Sequence, residues 1–160
     1  MMGSGKTTIG QKLAEELVLP FFDTDEIISS IEGMSVSEIF EKKGEEYFRQ
    51  TEKSIIDHWK ISDAVVSTGG GLPCFNSLIE VLNSKGKTVF LQASIDILTE
   101  RLNKDQTRPL VAGKSPVQIK KAVSDLLKVR NPIYKNAKIK VKSDDSPDEV
   151  VRKIIVKLYS

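Results

Sequence analysis

Apolar residues in Thr8–Val18 fall at Ile9, Leu13 and Leu17, the spacing that turns one face of a helix toward a core. The next apolar run, Pro20-Phe21-Phe22, is short and ends in Asp23-Thr24-Asp25, which predicts a strand with polar residues at its carboxyl end. Helical periodicity resumes over Ser35–Lys60 and breaks near Gly44. Ala64–Ser67 is a brief β-branched strand that stops at Gly69-Gly70-Gly71. Further on, the pattern predicts a helix over Asn76–Asn83, a strand over Thr88–Gln92 and a helix over Ile95–Leu102. Lys104–Ser115 has no periodicity and mixes charge, Pro and Gly, so it reads as a mobile loop. Pro116–Arg130 is helical, Ile139–Val141 a strand, and Pro147–Leu158 a closing helix with proline in its first turn. Short strands alternating with helices indicate βαβ units around a parallel sheet covered on both faces, an α/β fold.

Composition narrows the class without changing that picture. The chain has 160 residues, enough for one domain with its own core, and shows no repeat or linker-like stretch. With 24 Lys+Arg scattered against 22 Asp+Glu, the net charge of +2 argues against nucleic acid or an anionic membrane as partner. The single cysteine, Cys74, rules out an internal disulfide framework and suits a reducing, cytoplasmic setting. No apolar run reaches the length of a membrane span.

The chemistry begins at residue 3. Gly3-Ser4-Gly5-Lys6-Thr7-Thr8 opens a helix. Glycines there let backbone N–H groups close around a phosphate, and the helix N-terminus adds partial positive charge. Lys6 reaches terminal phosphates, and the Thr7 hydroxyl is a ligand type for Mg²⁺. The full pattern G-x-x-x-x-G-K-[ST] would place its first glycine one residue before Met1, and the strand that delivers such a loop is absent. The expectation is a start set inside a longer protein, with real loss of the strand as the competing reading.

Asp23 and Asp25, two apart after a strand, are expected to face one site. The glycine triplet 69–71 is most simply explained where backbone approaches a ligand closely. Arg49 and Arg130 suit bidentate pairing with a carboxylate, and Arg108 suits transferring phosphate. His58 and Cys74 are read as structural or surface residues.

These segments resemble shikimate kinase, a small phosphate-loop family of the nucleoside-monophosphate-kinase-like group. They are Met2–Gly10, Phe22–Asp25, Gly44–Arg49, Ser67–Gly71, Arg108-Pro109-Leu110 and Arg130–Tyr134, in the family's order and spacing across nearly the whole chain. The resemblance implies a three-layer fold on a five-stranded parallel sheet whose first, central strand is missing here or lies upstream of Met1. It implies ATP-dependent phosphorylation of the 3-hydroxyl of shikimate, with Mg²⁺, on the route to aromatic amino acids. Lys6, Asp25 and Arg108 would be catalytic. Gly3, Ser4, Gly5, Lys6, Thr7, Thr8, Arg101 and Arg108 would hold ATP. Asp25, Arg49, Gly69, Gly70, Gly71 and Arg130 would hold shikimate, and Thr7 with Asp23 would hold the metal. A substrate-binding segment is expected at about 35–61, a lid at about 103–115, and a monomer in solution. The acidic Ser143-Asp144-Asp145-Ser146 loop departs from the family, so no adenine contact is carried onto it. A non-catalytic relative and a kinase of another hydroxy-acid such as gluconate are the alternatives.

Overall fold

A computed structural model describes residues 1–104 and 111–160. Helix α1 (Lys6–Leu17) starts on Gly5 and ends on Val18, both in the left-handed region. Strand β1 (Phe21–Asp23) leads into α2 (Thr24–Glu32), and α3 (Val36–Asp57) follows from a Ser35–Glu38 capping box. Within α3, Gly44 is non-helical with φ 83°, the break its sequence position predicts. Strand β2 (Val65–Ser67), a short 3₁₀ turn over Leu72–Cys74, and α4 (Leu78–Lys85) come next. The second half comprises β3 (Val89–Gln92), α5 (Ile95–Lys104), α6 (Pro116–Tyr134), β4 (Ile139–Lys142) and α7 (Pro147–Tyr159).

All pairing among the described residues is parallel, as the alternation of strands and helices requires. It forms two ladders: β1 with β2, in register Phe22↔Val66, and β3 with β4, in register Leu91↔Val141. No ladder joins β2 to β3 among the described residues, which matches the expected sheet without its central strand.

Strand alternation distributes the core. Phe90 packs with Leu98, Ile119 and Val123 from α5 and α6, while its neighbour Leu91 packs with Ile9, Leu13 and Val150 from α1 and α7. Helices therefore cover both faces of the β3–β4 ladder. A separate cluster of Ile28, Ile39 and Phe48 joins α2 to α3.

Two elements differ from the sequence reading. Asp23 ends β1 with a polar residue, as expected, but Thr24 and Asp25 already belong to α2, which Asp23 caps, its Oδ1 accepting the Asp25 N–H at 3.0 Å. An acidic cap satisfies the open first turn of a helix, and Thr24 and Ile28, four apart, supply the buried face while Ile31 stays exposed. Helix α6 also continues past Arg130, through Pro132, to Tyr134. Proline forfeits one backbone bond there, and the buried Tyr134 ring against Phe90 holds the last turn in place.

Of the predicted lid, Asn103 and Lys104 belong to the end of α5, Val111 is fully buried, and Arg108 lies outside the described residues. No helix among the described residues is long and apolar enough to cross a membrane.

Candidate active site

Positive φ at Gly3 (73°) and Gly5 (85°) lets the chain turn tightly ahead of α1. The loop is braced from within. Ser4 Oγ and Lys6 Nζ both donate to the Met1 carbonyl, at 2.8 and 2.7 Å. Arg101 reaches back from α5, donating to the Gly3 carbonyl at 3.2 Å and the Ser143 carbonyl at 3.4 Å. Thr7 and Thr8 in the first turn of α1 remain exposed.

Across the loop, Thr7 Oγ1 donates to Asp23 Oδ2 at 3.0 Å. The structure thus brings together the hydroxyl and the carboxylate that the family resemblance pairs for a metal. Among the described residues no cluster of three His, Cys, Asp or Glu forms a metal cage. One hydroxyl and one carboxylate suit Mg²⁺, which usually takes its remaining ligands from water and substrate phosphates. Asp25 does not share this spot. Placed in the first turn of α2, its carboxylate turns to the glycine triplet, with Oδ1 2.9 Å from where a Cβ on Gly69 would sit.

That triplet is where side chains of α2 and α3 meet the backbone ahead of α1. A methyl on Gly69 would overlap the Glu52 carboxyl, and a methyl on Gly71 would overlap the Arg49 guanidinium. Gly70 lies 3.4 Å, on the same measure, from the backbone of Met1. The missing side chains therefore make room for protein side chains as well as for any ligand. Since Gly71 has an ordinary φ of −84°, Gly71→Ala would act wholly through Arg49. The expected result is a loss of about 1–3 kcal/mol in thermal unfolding, with weakened binding of a carboxylate substrate; an unchanged melt and unchanged binding would contradict the overlap.

Glu52 is the residue that sequence reasoning missed. It is fully buried and pairs with Arg49, whose other side reaches Glu45 Oε1 at 3.2 Å. Its Oε1 has no hydrogen-bond partner among the described residues. Burial pushes its carboxyl up to about 7; Arg49 pulls the other way, Asp25 adds to the rise, and Arg130 opposes it. Burial works against the Arg49 charge, yet Glu52 and Glu45 outweigh it and hold the guanidinium above its ordinary value.

Arg130, half-buried near the end of α6, completes this ring of charge. Its field reaches Glu52, the Cys74 thiol and the Tyr134 hydroxyl. Cys74 is a half-buried thiol pushed up by burial, and His58 is an exposed residue at the end of α3, in keeping with background roles for both.

A parallel α/β fold carrying a lysine-bearing phosphate loop beside an acidic, arginine-flanked pocket defines a small-molecule phosphotransferase. Residues 2–159 match the family model described as shikimate kinase. The chain belongs to the shikimate kinase family. The shikimate kinase of Aquifex aeolicus is 39% identical over 98% of this chain and 91% of its own. That of Azobacteroides pseudotrichonymphae is 46% identical over 86% and 83%. Among solved structures, the shikimate kinase of Bacteroides thetaiotaomicron superposes with a TM-score of 0.93 at 34% identity, covering 100% of this chain and 95% of that one. The Acinetobacter baumannii enzyme in complex with shikimate gives 0.90 at 32%, covering 99% and 88%.

Proposed function

We propose that this chain transfers the γ-phosphoryl group of ATP to the 3-hydroxyl of shikimate, giving 3-phosphoshikimate and ADP on the route to aromatic amino acids. One observation carries the reading: the phosphate loop, Asp25 and the Arg49–Glu52 pair converge around the glycine triplet. The chemistry needs positioning and charge stabilisation more than covalent help. In this reading the shikimate oxygen attacks the γ-phosphorus as the bond to the ADP oxygen breaks. The hydroxyl proton passes to Asp25. Arg49 and Arg130 hold the substrate carboxylate bidentately, and the Gly70 and Gly71 N–H groups complete the pocket. Lys6 exchanges the Met1 carbonyl for phosphate oxygens, joined by Arg108, while Arg101 serves the nucleotide side.

Thr7 and Asp23 would hold Mg²⁺; their hard oxygen donors 3.0 Å apart fit that ion. When bound, it neutralises charge on the phosphates. Residues 35–61 form the substrate-binding segment and 103–115 the lid, whose closure excludes water that would otherwise hydrolyse ATP. The protein acts as a cytoplasmic monomer.

A coupled ADP-release assay with shikimate and with gluconate tests this. Turnover dependent on shikimate is expected. Turnover with gluconate alone would move the acceptor, and ATP binding without turnover would favour a non-catalytic relative. A gluconokinase from Sinorhizobium meliloti superposes with a TM-score of 0.62 at 19% identity, a likeness of fold alone.

A further inference from the structure

We infer that Tyr134 is a positioning residue for the acceptor pocket: its hydroxyl pins the Gly70 carbonyl and thereby aims the Gly71 N–H. The Tyr134 hydroxyl donates to the Gly70 carbonyl at 2.6 Å, joining the end of α6 to a loop 64 positions earlier in the chain. The ring is 4% exposed and packs against Phe90 with centroids 5.0 Å apart.

Three glycines in a row have no side chains with which to anchor themselves. Bonds from other residues must fix them, and each glycine has at least one. Gly69 N–H donates to Thr24 Oγ1 at 3.1 Å, the Gly71 carbonyl accepts from Cys74 N–H at 3.0 Å, and Gly70 has Tyr134. The peptide joining Gly70 to Gly71 is planar and trans, so its C=O and N–H point in opposite directions. Holding the carbonyl back against Tyr134 turns the Gly71 N–H away from α6. That N–H donates to no described residue, which leaves it available to an incoming oxygen. Tyr134 also lies four residues from Arg130, on the same face of α6, so one helical turn carries both the guanidinium and the pin. Burial pushes the phenol up to about 12, with Arg130 opposing, and it stays a donor at any assay pH of interest.

The inference rests on shikimate being the acceptor, and its test separates the two ideas. Tyr134→Phe keeps the ring and deletes the donor. The KM for shikimate is expected to rise about tenfold, as for a lost hydrogen bond that strands a buried carbonyl, with the KM for ATP unchanged. Phe90→Leu is the packing control, expected to lower Tm while leaving the ratio of the two KM values at its wild-type level. A Tyr134→Phe enzyme with both KM values unchanged, or both raised in step with a fall in Tm, would overturn the positioning role. The Gly71 amide resonance of the ligand-free protein reports the same pin without turnover. It should shift or broaden in Tyr134→Phe, and superimposable spectra would overturn the inference whatever the acceptor. A wild-type protein inert toward shikimate, but with the Gly71 resonance moved by Tyr134→Phe, would refute the acceptor and uphold the pin.

Discussion

Replacing Asp25 by asparagine is expected to lower kcat with shikimate by a factor of about 10²–10⁴, the range for loss of a positioned proton acceptor, while ATP binding is retained. The side chain is nearly isosteric, and its backbone stays tied into the first turn of α2 by the Asp23 cap. What the change removes is a negative charge facing the Gly69 position beside Glu52. Asp23 has its own contact with Thr7, and Lys6 donates to the Met1 carbonyl, so both stay anchored when Asp25 is changed. Steady-state kinetics with an ATP titration decide the matter. An unchanged kcat would take Asp25 out of the proton transfer, and a parallel loss of ATP affinity would show that the substitution had disturbed the phosphate loop instead.

Arg49→Ala should destabilise the protein by about 3–5 kcal/mol in alkaline solution, the usual cost of breaking a buried ion pair from one side, and by much less in acid. The asymmetry follows from Glu52. Its carboxyl is raised to about 7 from an ordinary value of 4.5, so the folded state prefers it protonated. That preference contributes stability that is fully present below the ordinary value and fades as pH rises through about 7. In the wild type, Arg49 limits the loss by pairing with the ionised form. Without it, the side chain with no exposure must ionise unpaired or stay protonated, and the penalty grows with pH. Thermal melts from pH 5 to 9, pH values chosen to straddle that titration, should show the gap between variant and wild type widening. Adding Glu52→Gln should close the gap without restoring shikimate binding. A gap independent of pH would mean that Arg49 stabilises through packing on Phe48 and Phe40 rather than through charge.

The history of these residues in the sequence is uneven. The phosphate loop was legible because its spacing is set by local backbone geometry, and α1 follows it where expected. The arginines and the triplet were found as types, but their mutual fit was hidden. Nothing local announces that Gly71 makes room for a guanidinium from another helix. Glu52 is hard to single out in the sequence because charged Glu45, Glu46, Arg49 and Lys53 surround it. Yet Phe48, Glu52 and Ile56 lie four apart, and all three are buried. The apolar periodicity carried a carboxylate on its line, and that was the available signal. Helix α2 was missed for a different reason: alternation was extended through Asp23-Thr24-Asp25 when the acidic cap had already ended the strand. The expectation of two carboxylates on one side of a strand fails with it: Asp23 sits beside Thr7, while Asp25 faces Gly69.

The placing of the two arginines has a consequence for how substrate and scaffold depend on each other. Arg49 rides on α3, which packs with α2 on the β1–β2 side, whereas Arg130 rides on α6, which packs on β3. On the proposed reading, a carboxylate held by both would act as a rivet between α3 and α6. Binding would then couple the opening of one side to that of the other. Shikimate should slow amide exchange in Val65–Ser67 and in Val89–Gln92 to a common rate, and protection confined to one strand would show that no such rivet forms.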